Sequence, residues 1–185
     1  TATYEGLIVI CIDYSGVSYS TPEELLKLFH YDGSSWVDCT TLVDTENNII
    51  CGEVTSLSAF AIVEPIIIDV QIDIKPGSYP NSINPDIGGV IPVAILTTED
   101  FDASTVEPMT VKLEGANAQG KGKSGVYGSL EDVDGDGDMD LVVQIENSIS
   151  WDPDATQATL TGNLKAEYGD NPIKGSDSVN IVPPK

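Results

Sequence analysis

Arginine is absent from this chain of 185 residues, and all eight of its basic side chains are lysine. The chain therefore lacks the planar, bidentate fork that proteins prefer for recognising phosphate and carboxylate groups. Acidic residues number 30, which gives a formal net charge of −22. A surface this negative repels nucleic acid and anionic lipid, so we expect no nucleic-acid partner.

Histidine is almost as scarce, since His30 is the only one in the chain. It lies in a strand-like run between Phe29 and Tyr31, where a packed histidine is a simpler interpretation than a general base. Carboxylate pairs that hydrolyse glycosides are defined by their separation, which a sequence does not give. We therefore expect that this chain is not an enzyme.

Long hydrophobic runs are also missing. No apolar segment approaches the roughly 20 residues that a membrane-spanning helix needs, so we predict no membrane span. Hydrophobic residues still make up 41% of the chain, which is enough for a packed core. The chain opens at Thr1 without a methionine, so we expect either a removed leader or a piece of a longer protein.

Cysteine is limited to three residues, whose spacings match no zinc pattern. Cys11 and Cys51 each lie in a strand-like run, so we predict a disulfide between them. The alternative is three buried thiols that pack as small apolar side chains. A structural disulfide favours an extracellular location.

Short runs rich in isoleucine and valine, separated by proline, asparagine and glycine, predict an all-β protein. Pro65 divides the chain into an N-terminal module (residues 1–65) and a C-terminal module (residues 66–185). We expect two small β-sandwich-like modules in tandem. A short turn after Thr21 is expected to lead into a hairpin. The main predicted strands are 6–14, 36–40, 49–54, 59–63, 66–74, 90–97, 109–113, 141–146, 158–162, 164–168 and 179–182.

An acidic run at residues 131–143 is the strongest local pattern. Asp132, Asp134 and Asp136 alternate, Gly137 follows at the sixth place, and Asp140 occupies the ninth. This is the D-x-D-x-D-G spacing of a calcium loop. Ca²⁺ takes six to eight oxygen ligands, which a loop that turns sharply at glycine can supply. We predict a Ca²⁺ site formed by the side chains of Asp132, Asp134, Asp136 and Asp140, with the main-chain carbonyl of Asp138.

The twelfth place of this loop is Val143, where an EF-hand has a bidentate glutamate. A predicted strand follows the loop directly, as in the calcium loops of integrin-like and thrombospondin-like proteins, which this run resembles. Further ligands are expected from water, Glu131, or the segment that contains Asp152 and Asp154. The alternative is an acidic turn that is merely solvated.

A wider resemblance covers nearly all of residues 70–185. It is carried by Ile72-Asp73-Ile74-Lys75-Pro76-Gly77-Ser78, Pro80-Asn81-Ser82-Ile83-Asn84-Pro85, Ile91-Pro92-Val93-Ala94-Ile95-Leu96 and Gly175-Ser176-Asp177-Ser178-Val179. These stretches resemble a β-sandwich module that recurs near the C-termini of secreted archaeal and bacterial surface proteins. The first module contains Val9, Cys11-Ile12, His30-Tyr31, Trp36-Val37-Asp38 and Thr55-Ser56-Leu57-Ser58-Ala59-Phe60. Through these residues it is similar to another secreted β module, in which the positions matching Cys11 and Cys51 are commonly both cysteine. That module begins upstream of Thr1, so we expect either the tail of a longer protein or a subunit without its first strand.

The resemblance implies an extracellular or cell-surface location. Together with the predicted calcium loop and the lack of a catalytic pattern, it leads us to expect a calcium-stabilised protein with a structural or adhesive role. Its expected partners are further copies of itself, in an oligomer or a filament assembled by β-strand donation, or neighbouring domains of a longer surface protein. The alternative is a carbohydrate-binding accessory module of a secreted enzyme, with a glycan stacked on Trp151. Trp36 lies in a predicted hairpin and is expected in the core, so Trp151 is the candidate for exposure.

Overall fold

The computed structural model describes residues 6–120 and 125–182. The described chain is all-β, as predicted, and each helical segment within it is a three-residue 3-10 turn. Contacts divide the chain into two compact units between Ile66 and Ile67, whereas the sequence-based division lies between residues 65 and 66. We call them unit 1 and unit 2.

The strands are short, and most are separated by turns or loops. They are β1 (Ile8–Asp13), β2 (Lys27–Tyr31), β3 (Trp36–Asp38), β4 (Thr40–Asp44), β5 (Ile49–Val54), β6 (Phe60–Val63), β7 (Ile68–Asp69), β8 (Ile72–Ile74), β9 (Ser82–Ile83), β10 (Val90–Ile95), β11 (Lys112–Leu113), β12 (Ala116–Asn117), β13 (Ser129–Glu131), β14 (Asp140–Glu146), β15 (Gln157–Asn163), β16 (Pro172–Ser178) and β17 (Asn180–Ile181).

Unit 1 contains two three-stranded antiparallel sheets, with strand orders β1-β5-β4 and β3-β2-β6. Burial alternates along β1, where the isoleucines are half-buried and the residues between them are exposed. This period of two is expected of a strand with one covered face. The fully buried core is small and receives side chains from both sheets: Tyr14, Leu26, Leu28 and Ile50.

The predicted disulfide between Cys11 and Cys51 is confirmed. The two residues are directly opposite each other in the β1–β5 register, and their sulfurs are 2.11 Å apart. Cys39 is a free thiol, and its Sγ donates to the carbonyl of Leu28 at 3.2 Å. Burial, and then the negative charge of Asp38, raises the pKa of this thiol, which favours its protonated form.

The burial of His30 in β2 is as expected, whereas the exposure of Trp36 in β3 is not. His30 is buried, with Nε2 3.0 Å from the hydroxyl of Ser58 and its ring 4.9 Å from that of Phe60, so the packed histidine is confirmed. Trp36 is 49% exposed, and its expected place in the core is wrong. The reason is that β3 is the outer strand of its sheet and all three of its residues are exposed.

Unit 2 contains a four-stranded sheet (β13-β14-β10-β8), a five-stranded sheet (β12-β11-β15-β16-β7) and a two-stranded sheet (β17-β9). Pairing is antiparallel except between β16 and β7 and between β17 and β9. Val93 and Ile95 of β10 and Val143 and Ile145 of β14 are completely buried. One continuous core receives side chains from both larger sheets.

Three predicted strands of unit 2 are wrong in part or whole. The predicted strand 66–74 is divided into β7 and β8, which lie in different sheets. Within 109–113 only Lys112–Leu113 is a strand, because Pro108–Thr110 forms a 3-10 turn that the carboxylate of Glu107 caps. Within 164–168 there is no strand. The chain turns there through Ala166–Tyr168 and ends the turn at Gly169, whose φ of 98° suits glycine.

Hydrogen bonds join several of the residues that carry the wider resemblance. Asp177 Oδ2 accepts hydrogen bonds from the amide of Ile74 and from Nδ2 of Asn81, both at 2.9 Å. Asn81 is buried and also donates to the carbonyl of Ser178 at 3.0 Å. The contact fixes the end of β8 and the turn after it to the end of β16, so these residues have a structural role.

Removal of the disulfide is expected to destabilise unit 1, because the bridge joins residues 40 positions apart and the buried core beside it is small. Replacing Cys11 and Cys51 together by serine should lower the free energy of unfolding by about 3–4 kcal/mol on the loop-entropy account. Urea denaturation followed by Trp36 fluorescence, in a Trp151→Phe background, measures this change. Cys39→Ser is the matched control, and an equal loss in that variant would contradict a specific role for the bridge.

Candidate metal centre

The acidic run forms the connection between β13 and β14. These strands pair antiparallel, and Glu131 is directly opposite Asp140 in their register. Both ends of the loop are therefore held by the four-stranded sheet. The expectation that the loop lies directly before a strand is confirmed, since β14 begins at Asp140.

Three carboxylates of the loop come together. Asp132, Asp134 and Asp136 are exposed, and each offers one oxygen that lies within 4.8 Å of the other two. Oxygens on opposite sides of a Ca²⁺ ion, each about 2.3–2.6 Å from it, are separated by about 5 Å. The spacing of the three oxygens therefore fits one cation of this size.

Main-chain amides of the loop orient these carboxylates. Gly135 N donates to Asp132 Oδ1 at 2.8 Å, Asp136 N donates to Asp134 Oδ1 at 3.1 Å, and Asp138 N donates to Asp136 Oδ1 at 2.8 Å. Gly135 and Gly137 have φ values of 82° and 100°, which other residues rarely adopt. The glycines thus allow the tight turns that bring alternate aspartates to one side.

Asp140 differs from the other aspartates because it is completely buried. Its Oδ1 accepts from the amide of Thr97 at 2.8 Å, and its Oδ2 accepts from the amide of Val133 at 3.0 Å. The group of three carboxylates does not include it. Asp140 therefore joins the loop to the chain that follows β10, while its predicted role as a calcium ligand stays a prediction.

One signal of this anchoring role is visible in the chain. Asp140 begins β14, whose next three residues are all buried, so a polar side chain at this place has to find partners inside the unit. Sequence reasoning assigned the carboxylate to the ion because of its ninth place in the loop. The two amide partners are 43 and 7 residues away and carry no sequence pattern.

The remaining predicted ligands lie outside the three-carboxylate group. The side chain of Asp138 is exposed, and its carbonyl as a ligand stays a prediction. Glu131 accepts from the hydroxyl of Ser129 at 2.7 Å. Asp152 accepts from the amide of Asp154 at 2.9 Å, within its own turn. The described geometry thus supports Asp132, Asp134 and Asp136 as the core of a metal site.

Trp151, the candidate exposed stacking residue, is less exposed than we expected. It is partly buried, packs against the core of unit 2, and donates from Nε1 to Asn147 Oδ1 at 3.3 Å. Its ring nevertheless lines an open groove of about 520 Å³. The expectation for Trp151 is therefore corrected from an exposed ring to one wall of a groove.

Comparison with family models, curated proteins and solved structures finds no match. Within residues 6–120 and 125–182, no helix is long and apolar enough to cross a membrane. The function of the chain must therefore be inferred from the loop, the sheets and the groove themselves.

Proposed function

We propose that this chain is an extracellular or cell-surface protein with a structural or adhesive role, whose second β-sandwich-like module is stabilised by Ca²⁺. The observation that carries the proposal is the group of three carboxylates at Asp132, Asp134 and Asp136. The disulfide between Cys11 and Cys51 supports an oxidising environment. The resemblance of residues 70–185 to modules of secreted surface proteins points in the same direction.

The chemistry of the donors favours calcium over other ions. The loop contains neither histidine nor cysteine, and carboxylate oxygens are preferred by hard cations. Asp132, Asp134 and Asp136 would hold the ion, and its positive charge would offset their mutual repulsion. No lysine lies between Lys123 and Lys165 in the sequence to do so. An ion that binds only the folded loop stabilises the folded state.

Calcium is expected to stabilise unit 2. At a Ca²⁺ concentration 100 times the dissociation constant, the free energy of unfolding should exceed its value in EGTA by about 2.7 kcal/mol. Extracellular calcium modules have dissociation constants of about 0.1–1 mM, which sets the concentrations to use. Urea denaturation followed by Trp151 fluorescence, in a Trp36→Phe background, gives the measurement.

Two aspartate variants test whether the loop is responsible. Asp134→Asn should weaken the stabilisation by calcium, because it replaces a charged ligand by a neutral one. Asp86→Asn makes the same change at an exposed acid of unit 2 that lies outside the group and outside every predicted ligand segment, and it should leave the response intact. If chelation leaves the stability of the unmodified protein unchanged, the loop is a solvated acidic turn.

We further propose that strand donation joins copies of the chain. Within the described residues, β1 pairs only with β5, so its other edge is free. Val9 is 60% exposed, and Ile8 and Ile10 are only half-buried. A strand added along this edge would satisfy its amides and carbonyls and would cover the isoleucines. The donor is another copy in a filament or layer, or a neighbouring domain in a longer surface protein.

A lysine on this edge should prevent assembly. We expect Val9→Lys to keep the fold, because the side chain is exposed, and to abolish concentration-dependent oligomers seen by sedimentation and electron microscopy. Leu57→Lys is the matched control, since Leu57 is 66% exposed but lies outside the strands. Strictly monomeric particles of the unmodified chain at high concentration would remove the strand-donation proposal.

A carbohydrate-binding accessory module is the second candidate function. One observation favours it: the groove lined by Trp151 combines apolar and polar side chains.

A further inference from the structure

The groove beside Trp151 lies on unit 2, between the β11–β12 turn and the segment that joins β14 to β15. Its volume of about 520 Å³ falls within the range of roughly 300–1,000 Å³ typical of small-molecule sites. We call it the Trp151 groove.

The groove has an apolar floor and a polar rim. Ala116 is buried, and Ile149, Trp151 and Ala155 are partly buried, so these side chains form the floor. The polar side chains that line the groove are all exposed and form the rim: Glu114, Ser148, Ser150, Asp152 and Gln157. A ligand with one apolar face and several polar edge groups is complementary to this arrangement.

The indole is held in place by the protein itself. Trp151 Nε1 donates to Asn147 Oδ1 at 3.3 Å, and Asn147 Nδ2 donates in turn to the carbonyls of Asn84 at 3.1 Å and Ile87 at 2.7 Å. The ring also packs against the core of unit 2. A fixed aromatic wall loses little conformational freedom when a ligand binds, which favours affinity.

Glu114 occupies an unusual backbone position at the rim. Its φ is 47°, and with Gly115 at 83° it forms the two-residue turn between β11 and β12. Turns of this type favour asparagine or aspartate followed by glycine, so glutamate here is strained. Its Oε1 accepts from the amide of Thr159 at 2.6 Å, which fixes the carboxylate beside the groove.

The charges and donors of the rim identify the class of ligand. Among the described residues that line the groove there are two carboxylates and no lysine, so an acidic sugar would be repelled. The serine hydroxyls and the amide of Gln157 both donate and accept hydrogen bonds, which matches the hydroxyls of a sugar. An ammonium ligand only donates hydrogen bonds, so it would leave the donor groups of these side chains without a partner on the ligand. The apolar floor suits the C–H face of a pyranose ring.

We propose that the Trp151 groove binds an uncharged pyranose unit of a glycan, with the ring against Trp151 and its hydroxyls bonded to the rim. This inference rests on the second candidate function and on neither calcium binding nor strand donation. Its failure would therefore leave those two proposals untouched.

The test uses the full chain with Trp36→Phe, so that Trp151 is the only tryptophan. Neutral trisaccharides of glucose, mannose, galactose and N-acetylglucosamine are titrated in turn, and fluorescence and calorimetry are recorded. We expect a saturable change with at least one of them, and the same affinity in EGTA. Trp151→Ala should weaken binding at least tenfold.

Rim variants keep the test decisive if Trp151→Ala fails to fold. Gln157 and Ser150 are exposed, so alanine at either place should leave the melting temperature unchanged. Each should weaken binding about two- to tenfold through the loss of one hydrogen bond. Ser176→Ala, an exposed serine that does not line the groove, should bind normally.

Two results would overturn the proposal. One is the absence of saturation with all four trisaccharides up to millimolar concentration. The other is binding of a quaternary ammonium compound instead, suppressed by salt, which would identify the groove as a cation site.

Discussion

The buried carboxylate of Asp140 is the interaction on which the organisation of the acidic loop depends. A carboxylate inside a protein is costly unless hydrogen bonds compensate for the lost water, and here amides of Thr97 and Val133 do so. One amide lies beyond the end of β10 and the other near the start of the loop. The loop is therefore tied to the sheet through one side chain, and the three exposed aspartates are presented from a fixed base.

The two units are stabilised by different means. In its described residues, unit 1 has a core cluster of only four buried residues, one disulfide and a free sheet edge. A covalent link and an added strand therefore both offer stability that this small core does not. Unit 2 has a much larger core. Three of its carboxylates lie close together in the loop between β13 and β14, where a cation would offset their repulsion. A role outside the cell, where disulfides persist, is consistent with both arrangements.

Sequence reasoning succeeded where a pattern is local. Short β-branched runs separated by turn residues predicted the all-β class, the aspartate spacing predicted three residues that meet, and two strand-like runs predicted the Cys11–Cys51 bridge. It failed where partners are distant. Asp177 meets Asn81 across 96 positions and Asp140 meets Thr97 across 43, and nothing in the intervening sequence indicates either contact. Trp36 is exposed against expectation because β3 is the outer strand of its sheet.

The most direct test of this account is the free energy of unfolding of unit 2 in EGTA for the variant Asp140→Asn. The substitution replaces one carboxylate oxygen by an NH2 group, which faces a main-chain N–H donor and cannot accept its hydrogen bond. It also removes the negative charge that strengthens the other hydrogen bond. We expect a loss of about 1.5–3 kcal/mol without any calcium present, and no loss for Asp134→Asn in EGTA. If Asp140→Asn is harmless in EGTA and lowers stability only when calcium is added, Asp140 is a ligand and not the anchor of the loop.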